Sequence, residues 1–377
     1  MRWDIFCRVV DNFGDIGVCW RLARQLVHAH GRWVRLWVDD WASLRRIVPA
    51  CPPAPQGCVC DGVEIVPWDA ADATMADAGC VIEAFACHLP PAYLAALRAR
   101  PVPPVWLNLE YLSAEGWIED CHGVASPDPA NGIPKVFFFP GFTERSGGLI
   151  REAEVFARRD AAQGIDGRAL WLARHPSPGA SAASRWVSLF CYANPALPSL
   201  IEAWSHSATP VVAWVPEGIA LDAVSAVLGG SALVPGDSRR HGSLSLRALP
   251  FLSFEDYDAL LALCDINFVR GEDSFVRAQW AARPFVWQAY PQAEDVHLGK
   301  MSAFLARYGE SMEVDDRATV DHLWQAWNTG GDCGAAWSAF ASHSDPLRRH
   351  ARQWCATLAR QQDLAGRLVD FVDRVVE

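Results

Sequence analysis

The sequence predicts an α/β protein built as two Rossmann-like domains followed by a helical C-terminal stretch. Three observations predict it. At 377 residues the chain is long for a single core. Short apolar runs alternate with amphipathic helical stretches through the first 150 residues. After a polar connector near residue 151, the same alternation starts again.

In the first series, "DIFCRVV" (4–10) reads as a buried strand and "VCWRLARQLVHAH" (18–30) as an amphipathic helix with Leu22, Leu26 and Val27 inward. "WVRLWVDD" (33–40) is the next strand. "GVEIVPWD", "GCVIEAFA", "PVWLNLEYL" and "KVFFFPGF" follow, separated by Pro- and Gly-punctuated pieces or by helical ones such as "PAYLAALRAR". Apolar runs alternating with helices imply parallel βαβ units. The connector "REAEVFARRDAAQGIDGRAL" reads as helical. Beyond it, "SRWVSLFCY", "PVVAWVP", "LRALPFLSF", "DINFV" and "PFVWQAYP" read as strands, with helices between them, and the tail from about 295 is helical throughout. The expected domains are 1–165, with the helix 362–377 packing back onto it, and 166–361. Two such domains with a helical C-terminus form the GT-B architecture, in which two Rossmann-like domains face each other across a cleft.

Composition narrows the function. Hydrophobic residues make up 51% and charged residues 20%, which is a globular profile. The formal charge is −11, from 33 basic against 44 acidic residues, and no basic stripe stands out. Direct nucleic-acid binding is therefore not expected, since it needs phosphate neutralisation by Lys and Arg. No signal peptide and no run of membrane-spanning length is visible, so a cytoplasmic protein without membrane contact is expected. The eighteen tryptophans mean large buried side chains first and stacking platforms second. The twelve cysteines are scattered, which fits buried thiols in a reducing compartment. Their one cluster, "CPPAPQGCVC" (Cys51, Cys58, Cys60), lacks paired C-x-x-C knuckles and reads as a loop with no zinc site.

The first motif is "DNFGDIG" (11–17), between a strand and a helix. It is not G-x-G-x-x-G, so the dinucleotide fingerprint is absent. Its glycines permit close backbone approach, but Asp11 and Asp15 would repel a phosphate. A cation or an attacking group is the better match. Asp15 as a helix N-cap and Asp11 as a turn residue is the plain alternative. Asp11 and Asp15 are the candidate catalytic carboxylates, with Asn12, Phe13, Gly14 and Gly17 as candidate substrate contacts.

The second motif is "DINFVRGEDSFVRAQW" (265–280). A strand runs into Arg270, Gly271, Glu272, Asp273 and Ser274 and then into a helix. Free backbone N–H groups and a positive helix end at that position suit a nucleotide diphosphate, and Arg270 adds a charge able to grip it. Helix capping by Asp273 or Ser274 accounts for part of the pattern and leaves Arg270 and Gly271 unexplained. Tyr192 and Phe254 follow strands of the same domain and are candidates to stack a base, although each could equally be core. In the first domain, Glu110, Tyr111 and Glu144 sit in loops after strands as candidate acceptor contacts.

The stretches "DNFGDIGVCWRLARQL", "NLEYLSAE", "FFFPGFTERSGGL", "SLFCY" and "RGEDSFVRAQWAARPFVWQAYPQAEDVHLGK" resemble the bacterial elongation factor P protein-arginine rhamnosyltransferases. The likeness spans nearly the whole chain and is loose in the middle connector and in 320–377. It implies an inverting GT-B glycosyltransferase that moves L-rhamnose from dTDP-β-L-rhamnose to an arginine of elongation factor P, docked through that factor's folded N-terminal domain. It implies that Asp11, Asp15 and Glu272 form the essential set. Arg270, Gly271, Asp273 and Ser274, with Tyr192 and Phe254, would hold the nucleotide. A guanidinium is a poor nucleophile, permanently charged at neutral pH. Carboxylates can hold and align it and accept its proton, with Asp15 as base and Asp11 as orienting partner. No D-x-D-type motif lies near the diphosphate loop, so neither a metal nor another cofactor is expected. The alternatives are a different nucleotide-sugar transferase acting on a glycan or small molecule, and a non-catalytic binding module for elongation factor P.

Overall fold

The computed structural model describes residues 1–10, 13–71, 75–127 and 132–377. Asp11 and Asn12 lie outside the described residues. The chain divides into two units, Met1–Ala153 with Leu358–Glu377, and Glu154–Thr357.

The first unit runs β1 (Arg2–Cys7), α1 (Gly14–His30), β2 (Trp33–Val38), α2 (Trp41–Ile47), β3 (Cys58–Cys60), β4 (Val63–Pro67), β5 (Cys80–Ala84), α3 (Pro91–Arg98), β6 (Val105–Leu109), α4 (Ile118–Cys121), β7 (Ala125–Pro127) and β8 (Pro134–Phe138). Its sheet order is β3-β4-β2-β1-β5-β6-β8-β7. Only the edge strands β3 and β7 run antiparallel to their neighbours. A parallel sheet is covered on both faces, and this is why β1 and β5 are almost continuously buried instead of alternating. "CPPAPQGCVC" departs from its reading as a loop, because its last three residues are β3. Three alternating residues make a weak strand signal, and the pairing with β4 supplies what the local sequence does not.

The second unit runs α5 (Val155–Ala162), α6 (Gly167–Arg174), β9 (Arg185–Leu189), α7 (Leu197–Ser205), β10 (Val211–Pro216), α8 (Ile219–Leu228), β11 (Ser238–His241), β12 (Leu244–Leu249), α9 (Phe254–Leu263), β13 (Ile266–Arg270), α10 (Asp273–Ala281), β14 (Phe285–Gln288), α11 (Val296–Tyr308), α12 (Val314–Thr329), α13 (Gly334–Ser342) and α14 (Ser344–Ala359). Helix α15 (Leu364–Val376) belongs to the first unit again. The second sheet is ordered β11-β12-β10-β9-β13-β14, parallel except for β11. The first break falls after Ala153 and not at residue 165, because α5 packs on α9 and α10, and Gln163 at its C-cap donates to the Ala281 carbonyl at 2.8 Å. The return begins at Leu358 instead of 362.

Tryptophan fills both cores. Trp3 and Trp37 are fully enclosed in the first unit, and Trp171, Trp186, Trp204, Trp214, Trp324, Trp327 and Trp337 in the second. In the first unit a charged network is buried among them. Arg35 donates to both carboxylate oxygens of Asp4, at 2.9 and 2.7 Å, and Tyr93 closes on the same carboxylate. No helix among the described residues is long and apolar enough to cross a membrane.

Each sheet has one point where the chain reverses its direction of growth. In the first, the order runs outward from β1 through β2 to β4 and then resumes at β5 on the other side of β1. In the second, it runs outward from β9 through β10 to β12 and resumes at β13. Loops leaving neighbouring parallel strands on opposite sides open a crevice at the strands' carboxyl ends, the usual ligand position in such sheets.

Candidate active site

In the first unit the crevice lies after β1 and β5. Helix α1 begins earlier than the sequence suggests, at Gly14, so Asp15 stands in its first turn. The N-cap is Phe13, which makes no side-chain cap bond, and Gly17 N–H closes the turn on the Phe13 carbonyl at 2.9 Å. The Asp15 carboxylate instead reaches back across the loop, where its Oδ2 accepts the Val10 N–H at 2.7 Å. Asp15 is 3% exposed, and its charge adds a minor part to the rise of the Cys7 thiol, which its hydrogen bond to Cys19 and its burial mainly produce. A helix cap is therefore not what Asp15 supplies. It is a buried carboxylate in the first turn of a helix, where the positive helix end partly offsets the cost of burying a negative charge.

The facing loop, after β5, was not singled out by sequence reasoning. Phe85, Ala86 and His88 have φ of 57°, 52° and 57°. None is glycine, and three such residues in one short loop carry backbone strain that concentrates at functional sites. Glu83 anchors the loop from the buried end of β5, accepting the His88 N–H at 2.7 Å and pairing with Lys135 at 3.2 Å. Tyr111, after β6, stacks on Phe85 with ring centres 4.4 Å apart. Asn108 donates to the Glu110 carboxylate. Glu144 is exposed, and its carbonyl receives Arg367 of α15. No glycine in "AFACHLPP" announces the left-handed residues, so the available signal was only the position of this loop beside β1.

In the second unit the crevice lies after β9 and β13. Arg270, the last residue of β13, is buried with its guanidinium between two rings, 4.4 Å from the centre of Phe190 and 4.5 Å from that of Tyr192. Its Nη1 donates to the Cys191 carbonyl at 3.2 Å. Tyr192 is thus part of a sandwich. Its N–H donates to Gln288 Oε1 at 2.9 Å, and its ring meets Tyr290 edge-on at 5.4 Å.

Gly271, with φ of 60°, turns the chain into α10 in the left-handed region that glycine enters without penalty. Trp287 Nε1 pins its carbonyl at 2.7 Å. Glu272 is the N-cap of α10 but makes no side-chain cap bond, and Asp273 opens the first turn. Ser274 closes the loop instead of capping the helix. Its Oγ receives the Arg270 N–H at 3.0 Å and donates to the Arg270 carbonyl. Phe254 does not end a strand as read from the sequence. β12 stops at Leu249, and Phe254 opens α9 behind the N-cap Ser253. Sequence reasoning also passed over Phe190, half of the sandwich, and Tyr257, whose ring edges Phe190 at 5.5 Å. Burial pushes the Tyr257 phenol up, while the Ser274 hydroxyl beside it offsets this in part. A groove of about 740 Å³ lined by Arg185, Glu202, His206 and Trp337 lies where β9 begins, at the opposite strand ends from this loop.

Residues 3–373 match the family model described as elongation-factor P (EF-P) rhamnosyltransferase EarP. The chain belongs to the EarP family. Its class of activity is that of a protein-arginine rhamnosyltransferase, a glycosyltransferase. Proteins so named from Pseudomonas putida and Pseudomonas aeruginosa are 50% and 47% identical to it, with 98% of each chain covered in both cases. A solved EarP-family structure, described as the structural basis for EarP-mediated arginine glycosylation of translation elongation factor EF-P, superposes with a TM-score of 0.71. It is 37% identical, with 99% of each chain covered. A glycosyltransferase from Rickettsia africae shares the fold alone, at 9% identity and a TM-score of 0.55, with 100% of this chain and 98% of that one covered. The two parallel-dominated sheets with their helical C-terminus are those of the GT-B class.

Proposed function

We propose that the chain transfers L-rhamnose from dTDP-β-L-rhamnose to an arginine of translation elongation factor P, inverting the anomeric carbon to give an α-linked rhamnosyl-arginine. Modified elongation factor P then relieves ribosomes stalled at polyproline. The observation that carries this reading is the family match along residues 3–373, in a chain whose first switch point holds the buried carboxylate Asp15.

In this reading Asp15, with Asp11 as orienting partner, receives the target guanidinium by charge-assisted hydrogen bonds and aligns one nitrogen. That nitrogen bonds to the anomeric carbon while the bond from that carbon to the dTDP oxygen breaks. The proton displaced from the nitrogen passes to Asp15. The diphosphate gains negative charge as it leaves, and the start of α10 and the fixed guanidinium of Arg270 stabilise it. Glu272 holds the sugar or orients the loop, Gly271, Asp273 and Ser274 shape the diphosphate cradle, and Tyr192 and Phe254 flank the base. Asn12, Phe13, Gly14 and Gly17 shape the acceptor side. The leaving charge is handled without a divalent cation, so adding Mg²⁺ or Mn²⁺ should leave the rate unchanged.

The test is mass analysis of folded elongation factor P after incubation with enzyme and dTDP-β-L-rhamnose. A gain of one deoxyhexosyl group on a single arginine is expected. No gain, together with transfer to a glycan or small molecule, would move the chain to the alternative class of nucleotide-sugar transferase. Donor choice gives a second readout. dTDP should raise the melting temperature more than UDP or GDP at equal concentration, because selective binding to the folded state stabilises it, by about 2.7 kcal/mol at a hundredfold excess over Kd.

A further inference from the structure

The three cysteines of "CPPAPQGCVC" converge, although the sequence gives them no familiar ligand spacing. The Cys51 sulfur lies 3.7 Å from that of Cys60 and 3.7 Å from that of Cys58, and Cys58 and Cys60 are 4.0 Å apart. Cys58 and Cys60 stand two apart on β3 and so face the same side of the strand. Cys51 comes from the other end of the proline loop. A disulfide would bring one pair to about 2.05 Å and leave the third sulfur out. None of these distances is that short, and the triangle is close to equilateral.

This is the triangle that a tetrahedral thiolate site presents. With Zn–S bonds of about 2.3 Å, tetrahedral geometry sets the sulfurs about 3.8 Å apart. The loop is held in place by contacts that owe nothing to a metal. Cys51 N–H donates to the Val48 carbonyl at 3.0 Å, Trp41 Nε1 to the Pro52 carbonyl at 2.9 Å, and Arg45 Nε to the Cys51 carbonyl at 3.4 Å. Cys51 is buried and Cys58 half-exposed, so the site has a closed back and an open mouth.

We propose that Cys51, Cys58 and Cys60 form a three-thiolate site for one thiophilic cation, Zn(II) foremost, which staples the proline loop to the edge strand. Among the described residues no histidine or carboxylate joins the three, so the fourth position is taken by water or another small exogenous ligand. Burial first, with Cys60 and Cys58 adding to it, pushes the Cys51 thiol up, and burial also pushes up Cys58, where the hydrogen bond to Cys51 offsets part of the rise. Uptake of the cation releases one proton from each thiol, with no change of oxidation state, and tightens as pH rises. The site is independent of the transferase reading.

The test uses the full chain, reduced and freed of metal. Co(II) titration should produce sulfur-to-cobalt charge-transfer absorption that saturates at one equivalent. Zn(II), in competition with a chromophoric chelator, should displace it. Cys58→Ser should weaken Zn(II) binding at least tenfold, while Cys121→Ser, at an exposed cysteine outside the cluster, should not. Peptide mapping of alkylated wild type guards against a variant that misfolds. Zn(II) should protect Cys58 and leave Cys121 reactive. Absence of stoichiometric uptake by the reduced wild type, or uptake that survives Cys58→Ser in folded protein, overturns the proposal.

Discussion

The two switch points share a topology and differ in charge. After β1 and β5 the first sheet gathers carboxylates, with Asp15 buried at a helix start and Glu83 holding a strained loop. After β9 and β13 the second sheet offers a guanidinium clamped between Phe190 and Tyr192, followed by the start of α10. Similar scaffolding thus presents opposite charges, and under the proposed function the first would meet a cation and the second an anion. Sheet order sets where a ligand sits, and a few loop residues set which charge it carries.

Asp15→Asn should produce the largest effect on the reaction. Asparagine can still accept the Val10 N–H, so the loop should hold and the melting temperature should stay near that of the wild type. Single-turnover transfer should fall by at least the ~10²-fold of a lost general base, with donor affinity unchanged. A folded variant that transfers normally would take the first switch point out of the mechanism.

Arg270→Ala is the mirror experiment. Calorimetric donor affinity should drop by about 1.5–3 kcal/mol, the cost of a lost charged hydrogen-bonding group. Arg270→Lys should recover little, since an ammonium cannot fill the planar gap between two rings. Equal losses of donor affinity in Asp15→Asn and Arg270→Ala would erase the division of labour. Tyr192→Ala should cost less, about 0.5–2 kcal/mol for one face of the sandwich. If Tyr192→Ala left donor affinity unchanged, the ring would not flank the base.

A last test, of stability and not of transfer, lies away from both switch points. His122 accepts the Phe139 N–H on Nδ1 at 3.1 Å, and burial, with Arg367 adding to it, lowers its pKa to about 4. A histidine kept neutral in the folded state and free to protonate near pH ~6.5 when unfolded stabilises fully above that value. Its contribution is lost as pH falls toward 4. Melting curves of His122→Gln should therefore lose less stability than wild type across this window, and parallel curves would refute the assignment.

Much of this was legible in the chain, for reasons that differ by residue. The alternation of apolar runs and helices marked the strands of both parallel sheets, because burial on two faces leaves an unbroken apolar signature. The short antiparallel edges β3, β7 and β11 left no such mark. Asp15 and the Arg270–Ser274 turn stood out because charge and glycine at a strand end are visible in one dimension. Phe190 did not, since a phenylalanine ending an apolar run reads as more core. The Phe85–His88 loop was invisible because its strain lies in dihedral angles and not in composition. The cysteine triangle was hidden for a third reason, since Cys51 meets Cys58 and Cys60 only when the proline loop folds back onto β3.

The first unit also has a consequence for synthesis. Its α1 is covered by α15, with Gln25 donating to Asp363 at 2.7 Å and Arg32 to Asp373 at 2.5 Å. Those partners leave the ribosome only after the whole of the second unit. The half-finished first unit must therefore wait with the apolar flank of α1 uncovered while some two hundred residues are translated, at about 5–20 residues per second. The later-made unit can complete its core first. For about ten seconds at least, the nascent chain carries an exposed seam that only residues 358–377 can close, a place for aggregation or chaperone capture to begin.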